Sequence, residues 1–150
     1  MSFLVEYVSE MIKDYIYAIT PLLEDALIDR DQVHRQTASS VVQHIALGCM
    51  GLGVEDALIH LMNLLFPNIY EQSPHVIDRV IGAIDAIRTA VGPGIIMNYF
   101  ISMLFHSARR VREPGWRLFN NAYVQQADAM VPYYPDLKET GVRDELFVMI

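Results

Sequence analysis

Pro21-Leu-Leu-Glu-Asp-Ala-Leu-Ile-Asp-Arg-Asp-Gln-Val-His-Arg-Gln-Thr-Ala-Ser-Ser-Val-Val-Gln-His-Ile-Ala46 holds two helical patterns with a polar turn between them. Ala38, Val41, Val42, Ile45 and Ala46 recur at i, i+3, i+4, i+7 and i+8, the spacing of one helix face. Asp29-Arg30-Asp31 breaks the pattern before them. Pro21, with Thr20 as N-cap, predicts a helix start at that point. Working outward, Val8, Met11, Ile12, Tyr15, Ile16 and Ile19 form an earlier stripe. Later stripes run Leu58–Phe66, Ile77–Val91, Ile96–Leu104 and Trp116–Tyr123. No alternating strand and no Asn-Gly or Asp-Gly hairpin turn occurs. The chain reads as all-α.

The breaks are as regular as the stripes. Gly48, Gly51 and Gly53 end the second helix, and Pro67-Asn68 follows the third. Ser73-Pro74 predicts an N-cap and first helical residue, and Gly92-Pro93-Gly94 stops that helix. Pro132 and Pro135 precede a short terminal helix expected near Val142 to Met149. Short links between such helices suit antiparallel pairs. The pairs also repeat. Pro21-Leu-Leu through Val33-His-Arg35 and Ala38 has a weaker copy in Leu64-Leu-Phe66, Pro74-His-Val76 and Ala83. Met103-Leu-Phe105, Ala108-Arg109 and Val111-Arg112 make a third. Val33, Val76 and Val111 lie 43 and 35 residues apart, near the period of HEAT repeats. The expectation is one domain over 1–150: a HEAT-type α-solenoid of three to four stacked helix pairs. One pair cannot bury both faces, so neighbours must stack. Asp29 and Arg35 then fall at an intra-repeat turn, as repeat-turn structural residues.

Composition narrows the function. The chain has 150 residues, 53% hydrophobic and 19% charged, with a net charge of −7. That excludes intrinsic disorder and a collagen-like repeat. It also excludes a strongly basic nucleic-acid wrapper. The longest charge-free stretch, Thr89 to Phe105, is interrupted by Gly92-Pro93-Gly94 and falls short of a membrane span. Glu6 and Glu10 oppose a secretory leader. The reading is a soluble intracellular protein, cytosolic or nuclear.

No enzyme signature emerges. His34, His44, His60, His75 and His106 form no metal-binding pair on one helix. Carboxylates at 24–25, 29–31 and 55–56 sit where helix ends or polar faces explain them. Cys49 is one thiol in an apolar run, expected as packing. No catalytic, cofactor-binding or metal residue is assigned, and no cofactor is implied. Arg109, Arg110, Arg112 and Arg117 place four of the 11 basic residues within nine positions. They are candidates for RNA or partner contact, against the alternative of a repeat-turn ladder paired with neighbouring acids. Tyr133-Tyr134 lies off every stripe in a proline-flanked segment. It is a candidate for partner contact or for capping the last helices.

One run is specific enough to compare with a known family. Ser9 to His44, continued by Ser73-Pro-His-Val-Ile77, Gly92-Pro93, Leu104-Phe-His106, Ala108-Arg109, Val111-Arg112 and Trp116, closely resembles the C-terminal HEAT repeats of the largest subunit of splicing factor 3b. Arg143 and Glu145-Leu146 resemble the family's last helix. The resemblance implies a non-enzymatic, nuclear scaffold of the U2 small nuclear ribonucleoprotein, acting in branch-site recognition. It implies contacts with a β-propeller subunit and small zinc-binding and helical subunits, and with pre-mRNA and U2 RNA through a parent superhelix. The alternative is a generic HEAT adaptor for transport or phosphatase assembly. The chain is either the end of a longer superhelix or a short, separately encoded copy. Pro114-Gly115 departs from the family pattern, which predicts that the helix carrying Trp116 starts after Arg112 or is kinked there. A truncated solenoid would leave apolar surface near Phe3 to Tyr15, so that end is expected to be exposed or to self-associate.

Overall fold

Each apolar stripe lies on a helix, and the helices pair antiparallel in chain order. The computed structural model describes residues 2–71 and 73–134, and the side chains of 10–71 and 73–134. The terminal helix expected near Val142–Met149 and the side chains of Phe3 to Ser9 lie outside those residues. The elements are α1 (Ser2–Leu27), α2 (Gln32–Gly48), α3 (Glu55–Leu65), α4 (Pro74–Val91), α5 (Pro93–Leu104) and α6 (Arg109–Met130). Short 3-10 turns follow α3 at Phe66–Tyr70 and α6 at Val131–Tyr133. No strand occurs among the described residues. α1/α2, α3/α4 and α5/α6 are the three pairs. α2 packs along α4, α4 along α6, and α1 along α3. This is an all-α, HEAT-type solenoid.

The stacking logic is visible in burial. α2 buries one stripe, Ala38, Ser39, Val42 and Ala46. α4, in the middle, buries Val76, Val80, Ile81, Ala83, Ile84, Ala86, Ile87 and Arg88, which covers more than half its circumference. Each fully buried Val, Ile or Leu there stabilises the fold by about 1.5–3 kcal/mol. A helix apolar on so many sides is stable only between neighbours.

Local chemistry sets the boundaries, with three departures from expectation. Asp31 caps α2, accepting from the Val33 backbone N–H at 2.9 Å. Gly51 and Gly53 take positive φ after α2, and Gly92 does so between α4 and α5. Ser73 occupies the N-cap of α4, but its hydroxyl makes no cap bond. The first departure is Pro21, which lies inside α1 and does not start a helix. The Thr20 hydroxyl donates to the Ile16 carbonyl at 2.7 Å, so it serves the helix interior. The second is α6, which starts at Arg109 and keeps helical geometry through Pro114. Its break in backbone angles is at Gln126, φ −139° and ψ 34°. Pro114 is tolerated because it sits in the second turn, where only the bond to the Arg110 carbonyl is lost. Gly115 beside it admits α5: a Cβ there would meet the Met103 Cβ at 2.8 Å. The third concerns the three valines. Val76 and Val111 are buried, whereas Val33 is 64% exposed. Val33 is the second residue of its helix and the others are third, and one residue rotates a side chain by about 100°.

Methionine packs the core at Met62, Met97, Met103 and Met130, while Met11 and Met50 are exposed. Cys49 is buried, and burial pushes its thiol above the ordinary value. On α1, Met11, Tyr15 and Leu22 face solvent, and Leu23 and Ala26 line a groove with Thr37 and Val41 of α2.

Candidate interaction surface

Polar contacts between repeats keep one period. Every side-chain to side-chain hydrogen bond or ion pair joining one repeat to the next among the described residues spans 36 to 39 residues. Along the first helices, the Tyr17 hydroxyl meets Asp56 at 2.8 Å, His60 meets Glu24 at 2.6 Å, and Tyr99 bonds Asn63. The shared proton holds the Tyr17 phenol above its ordinary value and the Asp56 carboxyl below it. Along the second helices, Arg79 donates to Ser40 at 3.4 Å, Arg117 to Asp78 at 3.0 Å and Asn121 to Asp85 at 2.7 Å. Each contact fixes the axial register of one pair against the next.

The turn residues Asp29 and Arg35 lie within this system. Asp29 accepts from the Asp31 backbone N–H at 2.8 Å and faces His34 Nδ1 at 3.1 Å. The backbone bond and then the histidine hold its carboxyl below the ordinary range, and Asp29 in turn raises His34. Arg35 donates to the Asp29 carbonyl at 2.9 Å and pairs with Glu71 of the next repeat at 3.1 Å. The Arg35 side chain is 12% exposed, so it joins two turns while withdrawn from water.

The arginine cluster opens α6 and divides into separate roles. Arg112 is the fourth residue of α6, as Arg35 is of α2. Each donates to a carbonyl six residues back: Arg112 to His106 at 2.8 Å, and also to Ser107 at 2.8 Å. Arg109 pairs with Glu113 at 2.9 Å one turn on, and Arg117 reaches Asp78. Arg110 has no hydrogen bond or ion pair among the described residues and lines a hollow with Glu71, Ile77 and Pro114. A second, open hollow is walled by Arg109, Arg112, Trp116 and Asn120.

Tyr133 and Tyr134 fold back onto the last pair. The Tyr133 ring occupies the space a Cβ on Gly94 would need, at the start of α5. The Tyr134 ring stands edge-on to Phe119 at 6.3 Å, in a cluster with Trp116 and Tyr123. Both tyrosines keep exposed faces, 53% and 40%.

One cluster escaped the sequence reading. Arg88 is 0% exposed. It donates to Gln126 at 2.7 Å and Gln125 at 2.9 Å, and its Nε faces Asp85 Oδ1 at 3.6 Å. Desolvation raises the Asp85 carboxyl and lowers the Arg88 guanidinium. Neighbouring side chains on a regular helix point about 100° apart; the break at Gln126 lets two consecutive glutamines reach one guanidinium. The signal was present: Arg88 sits i+4 from Ile84 and i+7 from Ile81, inside the apolar stripe.

Among the described residues no three His, Cys, Asp or Glu side chains gather as a metal site. None of the described helices is long and apolar enough to cross a membrane. Fold and surface together define a HEAT-type helical-repeat segment built to hold register and present edges. No protein-family model matches the chain. It is 60% identical over 139 residues, 93% of its length, to "U2 snRNP component prp10" of Schizosaccharomyces pombe. It is 62% identical over 135 residues, 90% of its length, to "U2 snRNP component HSH155" of Saccharomyces cerevisiae. The chain spans only 12% and 14% of those proteins. The resemblance carried by Ser9–His44 to a U2 snRNP component is thereby borne out.

Proposed function

We propose that the chain is a non-enzymatic scaffold segment of the U2 snRNP and splicing factor 3b assembly, acting in branch-site recognition in the nucleus. The observation that carries this is 60–62% identity over at least nine-tenths of the chain to two U2 snRNP components. Its part in that role is mainly protein contact, with the β-propeller subunit and the small zinc-binding and helical subunits as partners. The acidic balance of −7 supports this division of labour, since a phosphate grip needs an excess of cations. Pre-mRNA and U2 RNA are reached through the parent superhelix. Arg109, Arg110, Arg112 and Arg117 are the candidate RNA or partner contacts, with Arg110 the least committed to the fold. Tyr133 and Tyr134 offer their outer faces to a partner while capping the last pair.

Co-purification of the folded chain with the β-propeller subunit of splicing factor 3b tests the reading. Binding is expected. A folded chain that fails to bind any subunit of the complex favours the generic adaptor. Unchanged intron-RNA crosslinking after Arg110→Glu in the reconstituted complex removes the RNA contact.

A further inference from the structure

Three large apolar side chains stand at one place in three successive repeats. Ile28, Tyr70 and Phe105 each lie four residues before the first residue of their repeat's second helix, Gln32, Pro74 and Arg109. Ile28 and Phe105 directly follow the first helix, and Tyr70 ends the 3-10 extension of α3. All three face solvent, at 69%, 45% and 54% exposure. Singly exposed apolar residues are ordinary; three at one register are a row. Packed helices lie about 8–10 Å apart, so the row spans roughly 20 Å along one edge.

The charges beside the row are unequal. Glu71 is engaged by Arg35 and Glu113 by Arg109, while Asp29 and Asp31 pair only with His34 and stand beside Arg30. Arg30 and Arg110 have no ion pair among the described residues, and Arg112 bonds only backbone carbonyls. The Phe105 end of this edge therefore offers uncompensated positive charge, from Arg110 and Arg112, in a chain of net −7.

We infer that the turn edge bearing Ile28, Tyr70 and Phe105 is a docking ridge for a protein partner that presents apolar side chains flanked by carboxylates. Apolar anchors in a row supply the contact, and Arg110 and Arg112 select an acidic rim at the Phe105 end. The inference rests on the scaffold reading and names the surface that serves it.

The test measures binding of the full chain to the purified β-propeller and small subunits of splicing factor 3b. The variant Ile28→Ser/Tyr70→Ser/Phe105→Ser is expected to weaken binding about tenfold or more. Its helicity and melting should stay near those of the parent, because all three side chains are exposed. Arg110→Glu is expected to weaken binding, and Ile95→Ser/Val131→Ser on the opposite edge to leave it unchanged. If the parent chain binds and the triple variant binds equally, this inference is overturned and the scaffold reading stands. If the folded parent binds no subunit, both fall. Binding of oligouridylate that the triple variant loses would make the edge a nucleic-acid surface and overturn the protein-docking assignment. Self-association in sedimentation velocity that the triple variant abolishes would assign the edge to a second copy, with the same consequence.

Discussion

Replacing Arg88 by methionine removes a guanidinium that is 0% exposed and leaves three partners behind. Gln125 and Gln126 lose bonds of 2.9 and 2.7 Å, and Asp85 loses its counter-charge at 3.6 Å. Removing one partner of a buried ion pair costs about 3–5 kcal/mol. The Asp85 side chain is 22% exposed and keeps its bond from Asn121, which places the loss near the lower end, about 3 kcal/mol. For a chain of this size that lowers the melting temperature by roughly 6–12 °C. The loss depends on pH in a stated direction. Asp85 already titrates above the ordinary 3.8 through desolvation, and losing Arg88 raises it further. A carboxyl raised in the folded state has its stabilising contribution fully present below 3.8 and loses it as pH rises through the raised value. The defect of Arg88→Met is therefore largest at neutral pH and shrinks on acidification. Asp85→Asn combined with Arg88→Met removes the orphaned charge and should return to within about 1 kcal/mol of the parent. Urea denaturation followed by circular dichroism at several pH values measures all three. A single-variant loss under about 1 kcal/mol, or one that does not vary with pH, refutes the reasoning.

Other outcomes follow from the same geometry. Gly115→Val drives a branched side chain into the Met103 Cβ, 2.8 Å from the position of a new Cβ. It should cost about 1–3 kcal/mol, read as a lower urea midpoint, and a midpoint at or above the parent's would show that α5 and α6 can separate freely. His34 should titrate above 6.5 by NMR, and Asp29→Asn should lower it toward that value, with Asp31 still raising it. The support from that pair is full between 3.8 and 6.5, fading as pH rises through the raised His34 value or falls through the lowered Asp29 value. Arg35→Ala breaks both the Asp29 carbonyl bond and the Glu71 pair and should cost about 1.5–3 kcal/mol. Arg35→Lys cannot span both partners, so it should recover only part of that in the same denaturation assay.

How much was legible in the sequence differs by residue. The stripe Ala38 to Ala46 fixed α2, because a 3.6-residue period leaves one face to bury whatever the partner is. Gly92-Pro93 fixed the α4–α5 boundary, because φ of 90° favours glycine and proline lacks the N–H to continue a helix. Pro21 and Pro114 misled for one reason: a proline reads as a boundary locally, and burial of the surrounding helix outweighs one lost hydrogen bond. The valine spacing marked the repeat without marking burial, because spacing counts residues while burial depends on the angle around the helix.

The site was less legible. Four arginines within nine positions stood out as charge; Arg109–Glu113 and the Arg112 turn bonds are local to the repeat, but the Arg117–Asp78 pair depends on which repeats face each other. Arg88 stayed hidden because a lone cation in an apolar stripe acquires meaning only when a second helix supplies Gln125 and Gln126. By itself, then, the sequence determined an all-α chain, its helical-pair repeat of three to four units and its kinship with U2 snRNP components, because periodicity, turn chemistry and a long matched run are local properties. Only the tertiary structure decided which faces are covered, which charges are neutralised and which apolar residues align along one edge. Most of those are relations between residues in different repeats, set by how the repeats stack.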